Sequence, residues 1–340
     1  MPQEVAQQTV RGTTRNTFTE QSGPQRGREV TVLLGGPSAE RKVSLNTGRA
    51  VADALRSLGH CVTQADVGPD NLAVLEKAKN GVVFIALHGE FGEDGQLQRI
   101  LEERGIFFTG SDSWSSQLAM DKPAAKQAFI EAGLFTPMHT LVDRSWTARQ
   151  RRLTLVDTPL PSVVKPPGQG SSVDVKIVLT PEQLHTAVDL CLNLYGAALV
   201  EDFVRGREMT VTILGEEPLP IIEIQPANAF YDYASKYKAK GTRYLDTPDL
   251  PQPLYRQIQW AALKAHQVLG CRDLSRVDLI LDANNRPMIL ELNTIPGMTE
   301  RSLVPKAAAA AGMDFAQLCQ QLLERAVMRK DIVMQGTTTN

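Results

Sequence analysis

Short runs of apolar residues alternate with helical spacings along the chain from about residue 28 onward. The runs Val30 to Leu34, Val82 to Leu87 and Ile106 to Thr109 each predict a buried strand, and Gly35-Gly36 ends the first. Apolar residues at positions 51, 55 and 58 repeat at helical spacing after the first run. Because alternating strands and helices are typical of a parallel sheet covered by helices, we expect an α/β protein with an amino-terminal open parallel-sheet domain over residues 28–117.

A second stretch of pattern begins at residue 118. Asp121, Lys122 and Pro123 open a predicted helix that Gly133 ends, since proline suits the first helical turn and glycine the position after the last. Later patterns predict strands at Ser162 to Val164, Lys176 to Leu179, Ala197 to Glu201, Glu208 to Leu214 and Pro220 to Ile224, and helices at Leu254 to Leu269 and from Phe315 onward. We divide this stretch into two units, residues 118–203 and 204–330.

The two ends of the chain differ from these units in composition. Residues 1–27 are rich in Gln, Thr, Arg and Gly without apolar periodicity, and we expect them and residues 331–340 to be flexible tails. The first arginines and threonines weakly resemble an organelle transit peptide. Glu4 and Glu20 argue against that interpretation.

Composition and charge exclude several classes of partner. Hydrophobic residues make up 42% of the chain, and its formal net charge of -2 creates no positive field for nucleic acid or an anionic membrane. Four widely spaced cysteines without a CxxC pair fit a reducing compartment. Since no apolar run suits a membrane span or a secretory signal, we expect a cytoplasmic protein with no nucleic-acid or membrane partner.

Charged and amide side chains form a distinct pattern in the segment Ser275 to Asn293. Arg276 and Asp278 alternate onto one face of a predicted strand. Glu291 and Asn293 do the same on the next strand. The segment therefore predicts a hairpin with two carboxylates and an amide on one face.

The turn sets the register of this hairpin. If residues 283–286 form the turn, Asp282 faces Pro287, and counting back places Asp278 opposite Glu291. Facing carboxylates are unfavourable unless a cation neutralises them, and Mg²⁺ prefers oxygen ligands beside nucleotide phosphates. The alternative for the bare pattern is a solvated hairpin face with unrelated charges.

Two glycine-containing segments are candidates for ligand binding. Residues 165–172, KPPGQGSS, follow a predicted strand; their glycines let backbone N–H groups approach phosphate oxygens, and Lys165 adds a cationic donor. A plain surface turn is the alternative. His88 follows another predicted strand, where α/β sheets bind ligands, although a hydrogen-bonded turn histidine gives the same pattern. The turn after the first strand lacks GxGxxG spacing, which argues against NAD binding.

Five segments, taken in order, resemble the D-alanine–D-alanine ligases, members of the ATP-grasp superfamily, from Val30 to about Val327. They are GGPSAERKVSL from Gly35, HGEFGEDGQLQ from His88, KPPGQGSS from Lys165, FYDYASKY from Phe230, and RVDLILD with ELNTIPGMTERSLVP between Arg276 and Pro305. Five ordered matches outweigh the ambiguity of each segment alone. The resemblance implies that residues 118–203 are the small ATP-grasp subdomain and that residues 204–330 are the large one, with the metal and substrate site.

The resemblance also assigns site residues. For the nucleotide it implies phosphate contacts from Lys122, Lys165 and Lys236, an adenine hinge at Glu201, Asp202, Phe203 and Val204, and a ribose contact from Glu208. For the metal it implies two Mg²⁺ ions, with Mn²⁺ as an alternative, on Asp278, Glu291 and Asn293. For the amino acids it implies Glu40 and His88 at the first D-alanine, Arg276 and Gly297 at the oxyanion, and Ser302 and Leu303 at the second carboxylate. A hydrogen-bonded triad of Glu40, Ser171 and Tyr237 is implied to close a lid.

The reaction implied by the resemblance is the ATP-dependent ligation of two D-alanine molecules for peptidoglycan precursors. The first carboxylate attacks the γ-phosphate to give an acylphosphate, and the amine of the second D-alanine then displaces phosphate. The family also implies a homodimer formed through the amino-terminal domain.

One residue departs from the family pattern, and two alternative functions remain open. Asp174 stands where the family usually has glycine, and its charge predicts weaker ATP binding unless the side chain points to solvent or pairs with a lysine. A ligase for D-lactate or D-serine is the alternative enzyme, and Tyr237 argues against the lactate-forming members, which usually lack this tyrosine. A regulatory nucleotide-binding protein without catalysis is favoured by Asp174 alone, and the retained carboxylate hairpin argues against it.

Overall fold

Three β-sheets organise the protein. The structure is a computed structural model that describes residues 27–170, 173–225, 242–299 and 301–336. These residues form a parallel sheet of three strands, an antiparallel sheet of four and an antiparallel sheet of six. None of the helices within these ranges is both long enough and apolar enough to cross a membrane.

The parallel sheet forms the amino-terminal part of the fold. Its strands β1 (Glu29–Gly35), β2 (Cys61–Val67) and β3 (Val82–Ile85) lie in the order β2-β1-β3. The helices of this part are α1 (Arg41–Ser57), α2 (Leu75–Ala78), α3 (Gln96–Glu103) and α4 (Ser113–Met120). β1 and β3 are apolar and buried, whereas β2 lies at an edge and keeps polar, partly exposed residues. The predicted open parallel-sheet domain is confirmed.

The predicted strand at Ile106 to Thr109 is reduced to a single bridge. Phe108 pairs with Val83 in parallel, and the Thr109 N–H donates to the Val83 carbonyl at 2.9 Å. The chain turns on both sides of this contact, at Gly105 and at Gly110, whose positive φ angles favour glycine. The apolar run therefore lies beside the sheet without extending it.

The antiparallel sheet of four strands follows helix α5 (Lys122–Glu131). Its elements are β4 (His139–Asp143), α6 (Ala148–Leu155), β5 (Ser162–Lys165), β6 (Lys176–Val178), α7 (Pro181–Tyr195) and β7 (Ala197–Asp202), with the strands in the order β4-β7-β5-β6. The Asp121 side chain caps α5 by accepting from the Ala124 N–H at 3.1 Å, as its sequence predicts. α7 buries its apolar face against this sheet.

The antiparallel sheet of six strands contains the predicted hairpin. Its elements are β8 (Gly206–Leu214), β9 (Glu217–Pro218), β10 (Ile222–Gln225), β11 (Arg243–Leu245), α8 (Gln252–Val268), β12 (Leu274–Asp282) and β13 (Pro287–Asn293). The strands lie in the order β11-β10-β8-β12-β13, with β9 beside β8. Residues 209, 211, 277 and 279 share a buried core with α8. The alternate residues of β8 and β12 therefore point to the opposite face of the sheet.

The last two helices connect this sheet with the amino-terminal part. They are α9 (Leu303–Ala310) and α10 (Phe315–Gly336). α10 shares one buried core with α1 and the parallel sheet, and Lys330 Nζ donates to the Asn80 carbonyl at 2.6 Å. The same buried core includes Met298, from the segment between β13 and α9.

Candidate active site

The hairpin of β12 and β13 brings the predicted carboxylates together. Asp278 pairs with Glu291, and Arg276 pairs with Asn293. Because Val277 and its neighbours at odd positions are buried under α8, these four side chains lie on the other face of the sheet. The predicted pairing of the two carboxylates is confirmed.

The predicted turn register is wrong by one residue. Leu281, rather than Asp282, faces Pro287. A β-bulge in the middle of the hairpin leaves Leu290 unpaired and shifts the pairing that follows. Since a slip of one residue turns every side chain to the opposite face, this bulge is what returns Glu291 to the face of Asp278. The expected pair thus forms through a different alignment.

Asp278 is held by its neighbours on β8, β12 and β13. Arg276 Nε and Nη2 donate to its two oxygens at 2.8 and 2.7 Å, and the Thr210 hydroxyl donates at 2.9 Å. The Asn293 amide lies 3.3 Å from the same carboxylate. Arginine therefore supplies positive charge that the facing carboxylates require.

The donor chemistry of this face fits a hard cation. Asp278, Glu291 and Asn293 offer carboxylate and amide oxygens, which Mg²⁺ prefers. Among the residues that the structure describes, no three His, Cys, Asp or Glu side chains gather as a preformed metal cage. A metal on this face would need further oxygen ligands, such as those of a phosphate, which is how Mg²⁺ is commonly held in nucleotide sites.

Lys122, at the start of α5, connects the hairpin with the glycine-containing loop. Its Nζ is 3.3 Å from Glu291 Oε2 and donates to the Gln169 carbonyl at 2.7 Å. Its backbone N–H donates to the Pro167 carbonyl at 3.2 Å. The loop that is predicted to bind phosphate is thereby held beside the carboxylates that are predicted to bind metal.

Lys165 points to Glu201 rather than into solvent. The two residues are diagonal neighbours on β5 and β7, and Lys165 Nζ lies 2.8 Å from Glu201 Oε2. Lys126 of α5 lies 2.9 Å from the other oxygen, Oε1. All three side chains are buried, and Lys126 has no counterpart among the residues predicted from the sequence.

The carboxylate of Glu40, just before α1, lies between two glycine loops. A methyl group placed on Gly89 would lie 3.1 Å from Glu40 Oε2, and one placed on Gly170 would lie 3.2 Å from it. The amino-terminal domain and the glycine-containing loop at residues 165–170, which we call the phosphate loop, therefore meet at this carboxylate. Its position suits a group that binds the ammonium of a substrate next to the phosphate loop.

His88 is buried and uses both ring nitrogens within the protein. Nδ1 lies 2.8 Å from the Ile295 carbonyl, which can only accept, so Nδ1 carries the hydrogen. Nε2 lies 3.0 Å from the Thr47 hydroxyl. Burial lowers the pKa of His88, which fits a neutral ring whose Nε2 accepts from Thr47. The histidine thus ties α1 to the segment after β13, and its predicted contact with substrate stays a prediction.

Glu93 is a buried carboxyl group that the sequence reasoning missed. It accepts a hydrogen bond from the Gly89 N–H at 2.6 Å and lines a small cavity with Lys122 and Glu291. Burial, followed by the charge of Glu40, raises the pKa of Glu93 to about 8, so this group is mostly protonated at neutral pH. The run HGEFGEDG contains three acidic residues, and the pattern alone does not show which is buried.

The segment between β13 and α9 holds the groups implied for the oxyanion and the second carboxylate. Ser302 directly precedes α9, which begins at Leu303. The Ser302 hydroxyl accepts from the Thr299 N–H at 3.1 Å, and a methyl group placed on Gly297 would lie 3.0 Å from it. The structure therefore brings Gly297, Ser302 and Leu303 together at a helix N-terminus, which attracts anions.

The predicted hinge lies where the chain passes from the four-stranded to the six-stranded sheet. Glu201 and Asp202 end β7, Phe203 and Val204 follow, and Glu208 belongs to β8. The Glu201 side chain contacts Lys126 and Lys165. These residues thus border the same sheets that carry Lys165 and the hairpin.

Three predicted site residues lie outside the described residues. They are Ser171, Lys236 and Tyr237. The whole segment FYDYASKY, which contains the last two, is also outside. The implied triad and the third phosphate lysine therefore stay predictions.

Asp174, the departure from the family pattern, has a partner that is not a lysine. Its φ of 53° lies in the left-handed region that favours glycine. Its carboxylate accepts a hydrogen bond from the Tyr195 hydroxyl at the end of α7. This bond, with burial and the negative charge, raises the pKa of Tyr195 to about 12. The carboxylate is therefore tied to α7.

A separate cleft of about 420 Å³ lies between Phe108, Arg272 and the end of α10. Arg272 stacks over the Phe108 ring at 5.3 Å, and Arg329 pairs with Asp273 through two hydrogen bonds. Both cations are thus engaged in joining parts of the fold. None of the predicted site residues lines this cleft.

Known proteins match the chain along most of its length. The family model described as "D-ala D-ala ligase C-terminus" matches residues 130–324. A D-alanine–D-alanine ligase from Anaeromyxobacter sp. is 44% identical over 310 residues, which cover 90% of this chain and 99% of the relative. The solved D-alanine–D-alanine ligase from Bacillus anthracis complexed with ATP is 31% identical with a TM-score of 0.78, over 90% of this chain and 99% of that one. The solved VanG D-Ala:D-Ser ligase from Enterococcus faecalis is 26% identical with a TM-score of 0.77, over 88% and 100%.

Proposed function

The chain belongs to the D-alanine–D-alanine ligase family, with its ATP-grasp fold, and from this premise we propose that the site on β12 and β13 catalyses the family's reaction. The protein uses ATP to join two D-alanine molecules into D-alanyl-D-alanine for peptidoglycan precursor synthesis. One observation supports this site most directly. The facing carboxylates, the glycine-containing loop and Glu40 converge on one region, through Lys122 and Gly170.

The first step needs positive charge around the transferred phosphoryl group. We assign that charge to Lys122 and Lys165, with Lys236 as a third cation. Lys122 already lies between the loop and Glu291. Glu40 holds the ammonium of the first D-alanine, whose carboxylate oxygen attacks the γ-phosphorus. ADP leaves, and an acylphosphate forms.

The second step joins the two amino acids. The amine of the second D-alanine attacks the acyl carbon, the bond from that carbon to the phosphate oxygen breaks, and the proton lost by the amine leaves with the released phosphate. Arg276 and the Gly297 N–H stabilise the oxyanion, while Ser302 and the Leu303 N–H hold the carboxylate of the second D-alanine. Gly297 and Ser302 lie on the segment that His88 ties to α1, so the second D-alanine subsite depends on the amino-terminal domain.

Metal binding is assigned to Asp278, Glu291 and Asn293. Two Mg²⁺ ions are proposed, and Mn²⁺ is proposed as a substitute because it accepts the same oxygen ligands. Asp278, Glu291 and Asn293 would hold the metal, which would supply positive charge to the phosphate oxygens. Arg276 and Lys122 lie against the two carboxylates and orient them.

The adenine hinge is assigned to residues 201–204, and the ribose contact to Glu208. The small subdomain, residues 118–203, and the large subdomain, residues 204–330, then enclose the nucleotide between their sheets. Residues 28–117 are assigned to the amino-terminal domain and residues 1–27 to a tail. The prediction of a second tail that begins at residue 331 is wrong, because α10 continues to Gly336. A cytoplasmic location and a homodimer through the amino-terminal domain complete the proposal, since precursor synthesis uses cytoplasmic ATP.

The second substrate separates this function from its nearest alternative. Relatives that are 42 to 44% identical over about 90% of this chain are D-alanine–D-alanine ligases, which favours D-alanine. The test is phosphate release from ATP by purified protein with D-alanine alone, or with D-alanine plus D-serine or D-lactate. D-Alanine alone is expected to support release and dipeptide formation. Release that requires D-serine or D-lactate, or no release with any of them, contradicts the proposal.

A further inference from the structure

Lys126 is a buried cation to which the two steps above assign no role. It lies one turn after Lys122 on α5, and only 1% of its side chain is exposed. Its Nζ is 2.9 Å from Glu201 Oε1 and donates to the Thr136 hydroxyl at 2.7 Å. Because a buried charge is costly without partners, these contacts explain how the fold retains it.

The carboxylate of Glu201 is shared by two lysines. Lys126 contacts one oxygen and Lys165 contacts the other, so the buried cluster has two positive charges and one negative charge. Burial by itself raises the pKa of Glu201, but the two lysines reverse this effect and hold it below its ordinary value. Burial lowers the pKa of Lys126 to about 8, which leaves it mostly protonated at neutral pH.

Thr136 connects the same lysine with the carboxylate hairpin. Its hydroxyl accepts from Lys126 and donates to the Ile289 carbonyl at 2.8 Å. The Ile289 N–H in turn donates to the Phe135 carbonyl at 2.8 Å. Ile289 directly precedes the bulged residue that turns Glu291 toward the site. Lys126 therefore lies between Lys165 of the phosphate loop and β13, the strand that carries Glu291.

We propose that Lys126 is a positioning residue for the ligation: it neutralises Glu201, so that Lys165 is available to nucleotide phosphates, and through Thr136 it fixes the bulge before Glu291. The inference rests on the proposed function, in which Lys165 binds phosphate and Glu291 binds metal. Lys126 acts through these residues and is assigned no contact with substrate.

Removal of the Lys126 charge and removal of the Thr136 hydroxyl have different expected consequences. Without Lys126, Glu201 keeps Lys165 as the one remaining cation of the cluster, and a buried carboxylate holds its last partner strongly. ATP phosphates must then compete with Glu201 for Lys165, so ATP binding weakens. Without the Thr136 hydroxyl, the Ile289 carbonyl loses its side-chain donor, so metal binding through Glu291 weakens instead.

The first test compares Lys126→Met with Lys126→Arg. The methionine keeps most of the length of the side chain without its charge, and the arginine keeps the charge. ATP binding is measured by calorimetry at pH 7 with Mg²⁺ and without D-alanine. The Kd for ATP is expected to rise about tenfold in Lys126→Met and less than about threefold in Lys126→Arg. A Kd within twofold of wild type in the folded methionine variant overturns the inference.

The second test compares Thr136→Val, which lacks the hydroxyl at equal volume, with Thr136→Ser, which keeps it. At saturating ATP, the Mg²⁺ concentration for half-maximal turnover is expected to rise about threefold in the valine variant and to stay near wild type in the serine variant. Equal Mg²⁺ dependence in both overturns the connection to Glu291. If urea denaturation shows that Lys126→Met does not fold, Lys126→Gln takes its place in the ATP-binding test, with the same expected rise in Kd.

The two tests also separate this inference from the proposed function. Wild-type protein that neither binds ATP nor turns over D-alanine refutes the proposed function. Normal wild-type binding and turnover, together with unaffected Lys126 and Thr136 variants, refute the positioning role alone.

Discussion

The hydrogen bond between Tyr195 and Asp174 holds the residues after the phosphate loop against α7, and its strength can be measured. Tyr195→Phe removes the hydroxyl and keeps the ring, and Asp174→Gly removes the acceptor. A hydrogen bond to a charged group contributes about 1.5 to 3 kcal/mol, and a neutral one about 0.5 to 1.5 kcal/mol. Because both residues are half-buried, we expect about 1 kcal/mol, near the middle of the lower range.

A double-mutant cycle isolates this energy from the backbone. Glycine relieves the positive φ of Asp174, which costs a non-glycine residue about 1 kcal/mol, but glycine also gains freedom in the unfolded chain. Both effects occur with and without the Tyr195 hydroxyl, so they cancel in the cycle. The free energy of unfolding is measured by urea denaturation at pH 7 for wild type, both single variants and the double variant.

The expected coupling free energy is about 1 kcal/mol, stabilising. A value below about 0.3 kcal/mol refutes the reasoning, because it means that the bond does not hold the two segments in solution. The KM for ATP is a separate readout. Because the bond to Tyr195 directs the carboxylate to α7, Asp174→Gly is expected to leave this KM near wild type, whereas Tyr195→Phe releases the negative charge and is expected to raise it.

Three further predictions concern the site. Glu291→Gln and Asp278→Asn each remove one negative charge from the hairpin face that is proposed to bind metal. Turnover at limiting Mg²⁺ is therefore expected to fall by orders of magnitude while the protein stays folded. Turnover near wild type would contradict the metal assignment. Because the pKa of Glu93 rises from its ordinary value of 4.5 to about 8, the native state binds more protons than the unfolded state between these values, and stability falls as pH rises through this window. Glu93→Gln should flatten that dependence in Tm measurements from pH 5 to 8, and an unchanged slope contradicts the assignment. Tyr237→Phe is expected to raise kcat/KM for D-lactate relative to D-alanine, and an unchanged ratio shows that this tyrosine does not set selectivity.

The pattern of the hairpin was enough to predict which carboxylates meet, but not how they meet. Alternation along β12 and β13 places Asp278 and Glu291 on one face, which requires only the period of a strand. The bulge at Leu290 has no signature in the alternation, since the longer turn on one side and the extra residue on the other compensate each other. A register counted from a turn is therefore correct only where the ladder is regular.

Burial was the feature that sequence reasoning could not supply. In the sequence, Lys126 is an ordinary polar residue of a predicted helix and Glu93 is one of a loop. Only the folded structure buries them, Lys126 beside Glu201 and Glu93 beside Gly89, and burial shifts their pKa values. The edge strand β2 was not predicted because it is partly exposed. Its polar, partly exposed residues lack the apolar run that identifies a buried parallel strand.

The most direct test of the ligation follows the oxygen atoms of the first D-alanine. When its carboxylate attacks the γ-phosphorus, one carboxylate oxygen enters the acylphosphate, and it leaves with phosphate after the second amine attacks. D-Alanine labelled with ¹⁸O in its carboxylate is therefore incubated with ATP, Mg²⁺ and the protein, and phosphate and dipeptide are analysed by mass spectrometry. We expect one phosphate for each D-alanyl-D-alanine, with a single labelled oxygen in that phosphate. Unlabelled phosphate, or phosphate released without dipeptide, would contradict the proposed reaction at this site.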